Sequence, residues 1–367
     1  MLYAIYTRPI FMDIHELLDL VVKNNASDLH LLVGIQPALR IDGTLKYVTK
    51  YKPLDKEHVE AMVFSLLTPE QKELLLANKE LDFSIGFGGG AYGDMGRFRI
   101  NAYFQRGYLA AAMRYLPPVI KSIDELLLPK KLHDFVNMKQ GFVLVTGPTG
   151  HGKSSTLAAI INEIHQTKSL HILTIEDPIE YVYGKGISAV SQRELGADTH
   201  SWAMALKSAL REDPDVVLIG EMRDPETIQA ALTIAETGHL VFATLHTNSA
   251  AQSIDRVVDS FQDHQRNQIR IQLAATLKGV ISQRLVPKIG GGRVPAVELL
   301  LSNAAVANNI REAKTHLIDS VIQTSKEQGM MTIEDSLSQL VRSGTIMLDD
   351  ARAYSIREKE LDRMLGK

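Results

Sequence analysis

Apolar residues at positions 14, 17, 18, 21 and 22 (Ile14, Leu17, Leu18, Val21, Val22) recur at helical spacing and predict an amphipathic helix opening near Met12-Asp13. Residues 1–11 therefore read as an extension. Positions 28–33 read as a strand, and Asp42-Gly43, set between Ile41 and Thr44, is a tight-hairpin signal. A helix follows from Asp55 with Val59, Met62, Val63, Leu66 and Leu67 inward, and another opens at Thr68-Pro69, threonine as cap and proline in the first turn. From Leu81 the period changes to two: Leu81, Phe83, Ile85 and Phe87 alternate with polar positions, as in a half-buried strand. The glycines at 88–90 and 93 read as a flexible turn. Beyond them Phe98, Ile100, Ala102 and Phe104 share one strand face, so Arg97 and Arg99 share the other, and a strand over 109–115 brings Arg114 into the same neighbourhood.

Leu116-Pro117-Pro118-Val119 breaks this pattern, because two prolines hold the chain extended and cannot sit in a central strand. The pattern divides the chain into a first domain over 12–115, a linker over 116–123 and a second domain over 124–367. A helix is predicted from Ile123. Four apolar runs of strand length follow, at 142–145, 171–175, 216–219 and 240–245. None alternates, which fits parallel strands covered on both faces. From about 250 the chain reads mainly helical: 250–261, 265–281, and 332–342 with Ile333, Leu337, Leu340 and Val341 inward. A short strand pair at 284–286 and 294–301 interrupts these helices, and 357–367 reads as a charged, frayed end.

At 367 residues the chain is long for one core. A formal charge of −3 gives no global basic field, which argues against nucleic acid as the partner. The absence of cysteine excludes disulfides and cysteine-ligated metal, and fits a reducing compartment. No apolar run approaches the ~18 residues of a membrane span, and no signal peptide is legible, so a cytoplasmic protein that meets a membrane only through partners is expected.

The run at 142–145 leads into GPTGHGKSS at 147–155, and Gly147, Gly152, Lys153 and Ser154 meet G-x-x-x-x-G-K-[ST] between a strand and a helix. Glycines let the backbone approach a triphosphate, whose charge is met by N–H groups at a helix start. On this reading Gly147, Pro148, Thr149, Gly150, His151, Gly152, Lys153, Ser154 and Ser155 form the cradle for ATP, with Lys153 on the β and γ phosphates and the Ser154 hydroxyl on Mg²⁺. His151 stands at a loop position commonly occupied by serine; its backbone N–H remains available.

The other three runs also end in polar clusters, at 176–180, 220–224 and 246–248, and ligands of open α/β sheets bind beyond the carboxyl ends of strands. Glu176 and Glu221, the first acids off their strands, are candidates to activate water and to hold Mg²⁺. Asp177, Glu180 and Asp224 fit that chemistry or the ordinary preference of acids for helix starts. His246 fits a structural histidine as well as a γ-phosphate sensor. The strand Val216-Val217-Leu218-Ile219 ends in Gly220-Glu221 and lacks the aspartate common at that place, so Glu221 or the cluster around Glu176 must supply the Mg²⁺ carboxylate.

TIEDPIEYVY at 174–183, SALREDPDVVLIGEMRDPETIQAALTIAETGHLVFATLHTNSA at 208–250 and the phosphate loop together resemble the secretion and type IV pilus motor ATPases, with the closest fit to PilT-type retraction motors. The likeness runs from about Met12 to the C-terminal helices. It implies an N-terminal PAS-like α+β domain followed by a RecA-like P-loop NTPase domain with a helical C-terminal part. It also implies a homohexameric ring at the inner face of the cytoplasmic membrane, working on an inner-membrane pilus platform protein. By position Glu176 becomes the catalytic carboxylate, Glu221 serves Mg²⁺, His239 and His246 fill a histidine box, and Arg99, Arg114 and Arg97 match N-terminal arginines that reach nucleotide. The Gly-Glu strand ending is that family's own pattern. AVANNIRE at 305–312 looks like the retraction motors' AIRNLIRE segment but has Val306, Ala307 and Asn309 where that segment has Ile, Arg and Leu, which leaves an accessory paralogue as the alternative; assembly and secretion motors usually add a long N-terminal region and a four-cysteine zinc module, neither of which is found here.

Overall fold

A computed structural model describes residues 13–41, 43–88 and 96–367. The expectations for 1–11, for Asp42 and for the glycines at 89, 90 and 93 lie outside the described residues. The chain divides into two compact units, one running to Val119 and including Glu180–Val182, the other formed by Ile120–Ile179 and Tyr183–Lys367.

The first unit is built on six strands: β1 (Asp28–Leu31), β2 (Ala38–Ile41), β3 (Thr44–Tyr47), β4 (Glu80–Phe87), β5 (Gly96–Gln105) and β6 (Tyr108–Leu116). They form an antiparallel sheet in the order β3-β2-β1-β6-β5-β4. Phe98, Ile100, Leu109, Ala111 and Met113 are fully buried and share a core with Leu17, Leu18 and Val21 of the helix Ile14–Lys23 and Val59 and Val63 of the helix Lys56–Phe64. Asp13, Asp55 and Thr68 cap the three helices, and Thr68 with Gln71 completes a reciprocal capping box. On the other face, strand register lines up Arg40, Asp28, Arg114, Arg99 and Ser84 in one row across five strands.

The second unit is built on seven strands: β7 (Gly141–Thr146), β8 (His171–Glu176), β9 (Ala189–Glu194), β10 (Val216–Ile219), β11 (Leu240–Leu245), β12 (Leu277–Pro287) and β13 (Arg293–Leu301). Their order is β13-β12-β7-β11-β10-β8-β9, and only β13 runs against its neighbour. Alternate residues of the same strands go to opposite cores: Phe142 and Leu144 to one, Val143 and Val145 to the other. Burial on both faces is why these strands read as unbroken apolar runs. A smaller core joins Val286, Val294 and Ala296 of β12 and β13 to Ile333, Leu337, Ile346, Ala351 and Leu361 of the C-terminal helices.

Three expectations fail here. No helix begins at Ile123: Ser122 and Glu125 bond each other's backbone to close a single turn, Leu127 has φ +56°, and Pro129 forces the preceding residue out of helical geometry. The helix expected over 265–281 stops at Thr276, and β12 takes the rest, paired with β7 on one side and β13 on the other; at Gly279 a Cβ would strike the Phe135 ring and the Leu300 carbonyl. The end of the chain is not frayed. Arg357 pairs with Asp319, Glu360 and the fully buried Glu334, and Leu361 of the helix Glu358–Met364 is itself fully buried. Strand β9, which ends in charged residues at the sheet edge, carried no apolar signal.

Glu298, on β13, accepts the Ala250 N–H at 2.7 Å, and burial, with Asp319 and Glu334 adding to it against Arg357, pushes its carboxyl up to about 7. Between the ordinary 4.5 and 7 the unfolded chain has lost a proton that the folded protein retains, so Glu298 costs stability as pH rises through that window. Glu298→Gln keeps the acceptor for Ala250 and should raise the melting temperature by about 2–4 °C near pH 8. The gain should vanish near pH 4.5; a gain that persists there would show that ionisation is not its source.

Candidate active site

Strand β7 ends at Thr146 and the helix Lys153–Thr167 begins at Lys153, so residues 147–152 form a loop over the carboxyl end of the sheet. Gly147 has φ +143°, and a Cβ there would lie 2.3 Å from the Gln283 carbonyl oxygen on β12. Only glycine fits that contact. Gly150 and Gly152, at φ +78° and +84°, turn the loop into the helix, whose first amides face the loop without side-chain capping. The Lys153 ammonium is buried and donates to the carbonyls of Gly147 (2.8 Å) and Pro148 (3.1 Å), which places its charge at the loop mouth.

Glu221 follows β10 through Gly220. A side chain at Gly220 would crowd the Glu176 backbone at 3.2 Å, so the glycine lets the ends of β10 and β8 close together, and the Thr244 hydroxyl donates to its carbonyl. Glu221 sits between Arg223, at 2.8 Å, and His246, whose Nε2 is 3.2 Å away. Burial alone would raise its carboxyl; the hydrogen bond and charge of Arg223, with the charges of His246 and Lys153, outweigh burial and hold it below the usual carboxylate range. The other His246 nitrogen, Nδ1, lies 3.2 Å from the Thr149 hydroxyl. The ring thus stands between the loop, to which it is hydrogen-bonded through Thr149, and the Glu221 carboxylate, within ion-pair distance.

Glu176 closes β8, where its Oε1 accepts from the Thr174 hydroxyl at 2.7 Å and from Gln192 at 3.4 Å. Asp224 has the ordinary role: it caps the helix Pro225–Glu236 through the Thr227 N–H and hydroxyl. His239 is not brought to the loop of its own subunit. It precedes β11 and bonds the Ile234 carbonyl and Thr237, so roughly 20 Å of strand separates it from His246. In the first unit Arg114 pairs with Asp28 at 3.0 Å, Arg97 bonds Ser84, and Arg99 lies directly opposite Arg114. These arginines and the phosphate loop belong to different units.

Sequence reasoning missed what backs the loop from β12 and β13. Gln283, almost fully buried, accepts from the Thr156 hydroxyl at 2.8 Å and donates to the His151 carbonyl at 2.7 Å; Arg293 donates to the Gly150 carbonyl at 3.2 Å. Gln283 falls between the helix expected to 281 and the strand expected at 284–286, and no local signal tied it to the loop. Beside it, Gly152, Ser155, Thr156, Leu285, Arg293 and Leu126 line a cavity of about 290 Å³ that adjoins the helix start.

A mainly parallel sheet bearing a glycine phosphate loop, a Gly-Glu strand end and a histidine between the two defines a P-loop ATPase of the class found in secretion and pilus machines. Residues 124–292 match the family described as type II/IV secretion system protein. The type IV pilus retraction ATPase PilT of Pseudomonas aeruginosa is 46% identical over 341 residues, covering 93% of this chain and 97% of that protein. A twitching motility protein of Neisseria gonorrhoeae is 47% identical over 317 residues, 86% of this chain and 83% of that one. A crystal structure of the pilus retraction motor PilT with bound ADP has a TM-score of 0.89 at 48% identity, covering 96% and 99% of the two chains. The chain belongs to the type II/IV secretion-system ATPase family, on its PilT-type retraction branch.

The glycines of the loop should separate by mechanism. Gly147→Ala should weaken ATP binding at least about a hundredfold, since a backbone carbonyl blocks the new methyl; Gly150→Ala, with open space around it, should cost only the roughly 1–2 kcal/mol of left-handed backbone. Titration with a fluorescent nucleotide checks this, and equal losses in the two variants would contradict the packing argument.

Proposed function

We propose that the protein is a Mg²⁺-dependent ATPase whose hydrolysis powers type IV pilus retraction, working as a homohexameric ring. The observation that carries this reading is the line Thr149–His246–Glu221, which runs from the phosphate loop past the end of β11 to the acid after β10, in a chain that matches retraction ATPases along nearly its whole length. On this reading the first unit is a PAS-like domain and the second a RecA-like domain with a helical C-terminal part. The ring stands at the inner face of the cytoplasmic membrane and engages an inner-membrane platform protein. Among the described residues no helix is long and apolar enough to cross a membrane.

The phosphates of ATP seat on the loop amides and the start of the helix Lys153–Thr167, with the nucleoside toward the cavity beside Thr156 and Leu285. Lys153, already at the loop mouth, gives up its carbonyl partners for phosphate oxygens. Mg²⁺, when bound, neutralises charge on the β and γ phosphates, and the residues present suit it: the Ser154 hydroxyl, and Glu221, an ionised carboxylate with two of its about four acceptor sites taken by Arg223 and His246. Glu176, held by Thr174 and Gln192, orients and deprotonates the attacking water. His246, bonded to loop and acid at once, reports the γ phosphate to β11. Arg99 and Arg114, with Arg97 behind them, supply positive charge to nucleotide in the assembled ring.

Glu176→Gln should retain ATP binding and lose about 10²–10⁴-fold in turnover. A rate close to wild type would move the base elsewhere. Arg99→Ala should slow turnover about tenfold or more in the assembled oligomer, with intact ADP binding. In a cell, deletion should leave pili that extend and do not retract, so the surface becomes over-piliated; normal retraction in the deletion strain contradicts the function.

A further inference from the structure

His151 takes no part in the chemistry above, yet it is the point at which the loop is fastened. Its Nδ1 accepts the backbone N–H of Leu285 at 3.0 Å, and its carbonyl accepts from Gln283 at 2.7 Å. On its far side the ring lies 6.4 Å from the Tyr354 ring, at the end of the helix Leu348–Tyr354, whose terminal carbonyl accepts from Arg284 of β12 at 2.6 Å. The residues flanking these contacts, Val286 and Val294, are buried in the core of the C-terminal helices. Burial, together with the charges of Arg293, Arg284 and Lys153, lowers the affinity of the ring for a second proton, so Nδ1 is available as an acceptor.

We propose that His151 is a positioning residue for the nucleotide, which ties the phosphate loop through Leu285 and Tyr354 to the C-terminal helices and so makes ATP affinity depend on where those helices lie. A serine at this position ends one atom beyond Cβ and cannot reach the Leu285 amide. Asparagine carries an acceptor bonded to Cγ, as Nδ1 is in histidine, and can replace the contact. Loss of the contact loosens the loop before nucleotide arrives and leaves Lys153, Glu176 and Glu221 untouched, so it acts on binding and not on the chemical step.

The inference rests on the loop being the ATP site, and the test separates the two. On the full-length oligomer, His151→Ser should raise KM for ATP and Kd for ADP about tenfold, the size of one ordinary hydrogen bond, with kcat within about twofold. His151→Asn should return both to within about twofold of wild type. Hydrogen exchange at the Leu285 amide should accelerate in the serine variant and recover in the asparagine variant. Tyr354→Ala should raise KM when His151 is present and add nothing in the His151→Ser background. Unchanged KM in His151→Ser, failure of asparagine to rescue, a parallel fall in kcat, or additive effects of the two substitutions would each overturn the role of His151. A wild-type protein that binds no nucleotide overturns the ATP site itself, and with it this inference.

Discussion

The close approach of Gly147 to the Gln283 carbonyl is the constraint from which the site follows. A phosphate loop is a run of exposed amides with few contacts of its own, and it binds a polyanion only if those amides already point the right way. Here the loop is pressed against β12, held at Gly150 by Arg293 and at His151 by Gln283 and Leu285. Gln283 also bonds Thr156, one turn into the helix, so loop and helix are referred to the same strand. That strand is parallel to β7, from which the loop springs, and the two share five register pairs. The loop is therefore braced at its root and along its outer side.

The second organising feature is how charge is distributed at the strand ends. Lys153 rests on carbonyl oxygens, a neutral arrangement that a phosphate can displace, because the competing acceptors carry only partial charge. The hydrogen bond and charge of Arg223, with the charges of His246 and Lys153, hold the Glu221 carboxyl below the usual carboxylate range against its burial. His246 touches both the loop and Glu221, and so links the phosphate loop to the ends of β11 and β10. Gly220 makes this compactness possible by letting β8 and β10 converge. The glycine-then-glutamate strand ending is thus a packing requirement with a chemical consequence.

Much of this was legible before any coordinates. The four apolar runs became β7, β8, β10 and β11, adjacent and parallel, because burial on both faces leaves no alternation to hide them. The cap at Thr68 stood where its helix begins, since a side-chain oxygen beside free amides is a local signal. The shared face of Arg97, Arg99 and Arg114 followed from strand alternation alone. What failed was non-local. The start of β12, 277–281, is a strand because it pairs with β7 and β13, distant in sequence, and nothing local told that Gln283 and Leu285 stand behind the loop. The family resemblance grouped His239 with His246, but a strand of six residues carries them to opposite ends of β11. The end of the chain looked frayed because its order comes from Arg357 meeting a buried Glu334 in another helix.

All of this turns on phosphate binding at the carboxyl end of the parallel strands. Hydrogen–deuterium exchange on the intact protein, with and without a non-hydrolysable ATP analogue, tests it most directly. The analogue should slow exchange in segments 147–155, 220–223 and 246–248 and leave 234–239, at the opposite end of the strands, unchanged. Protection that bypassed 147–155, or gathered around 234–239, would contradict the site described above.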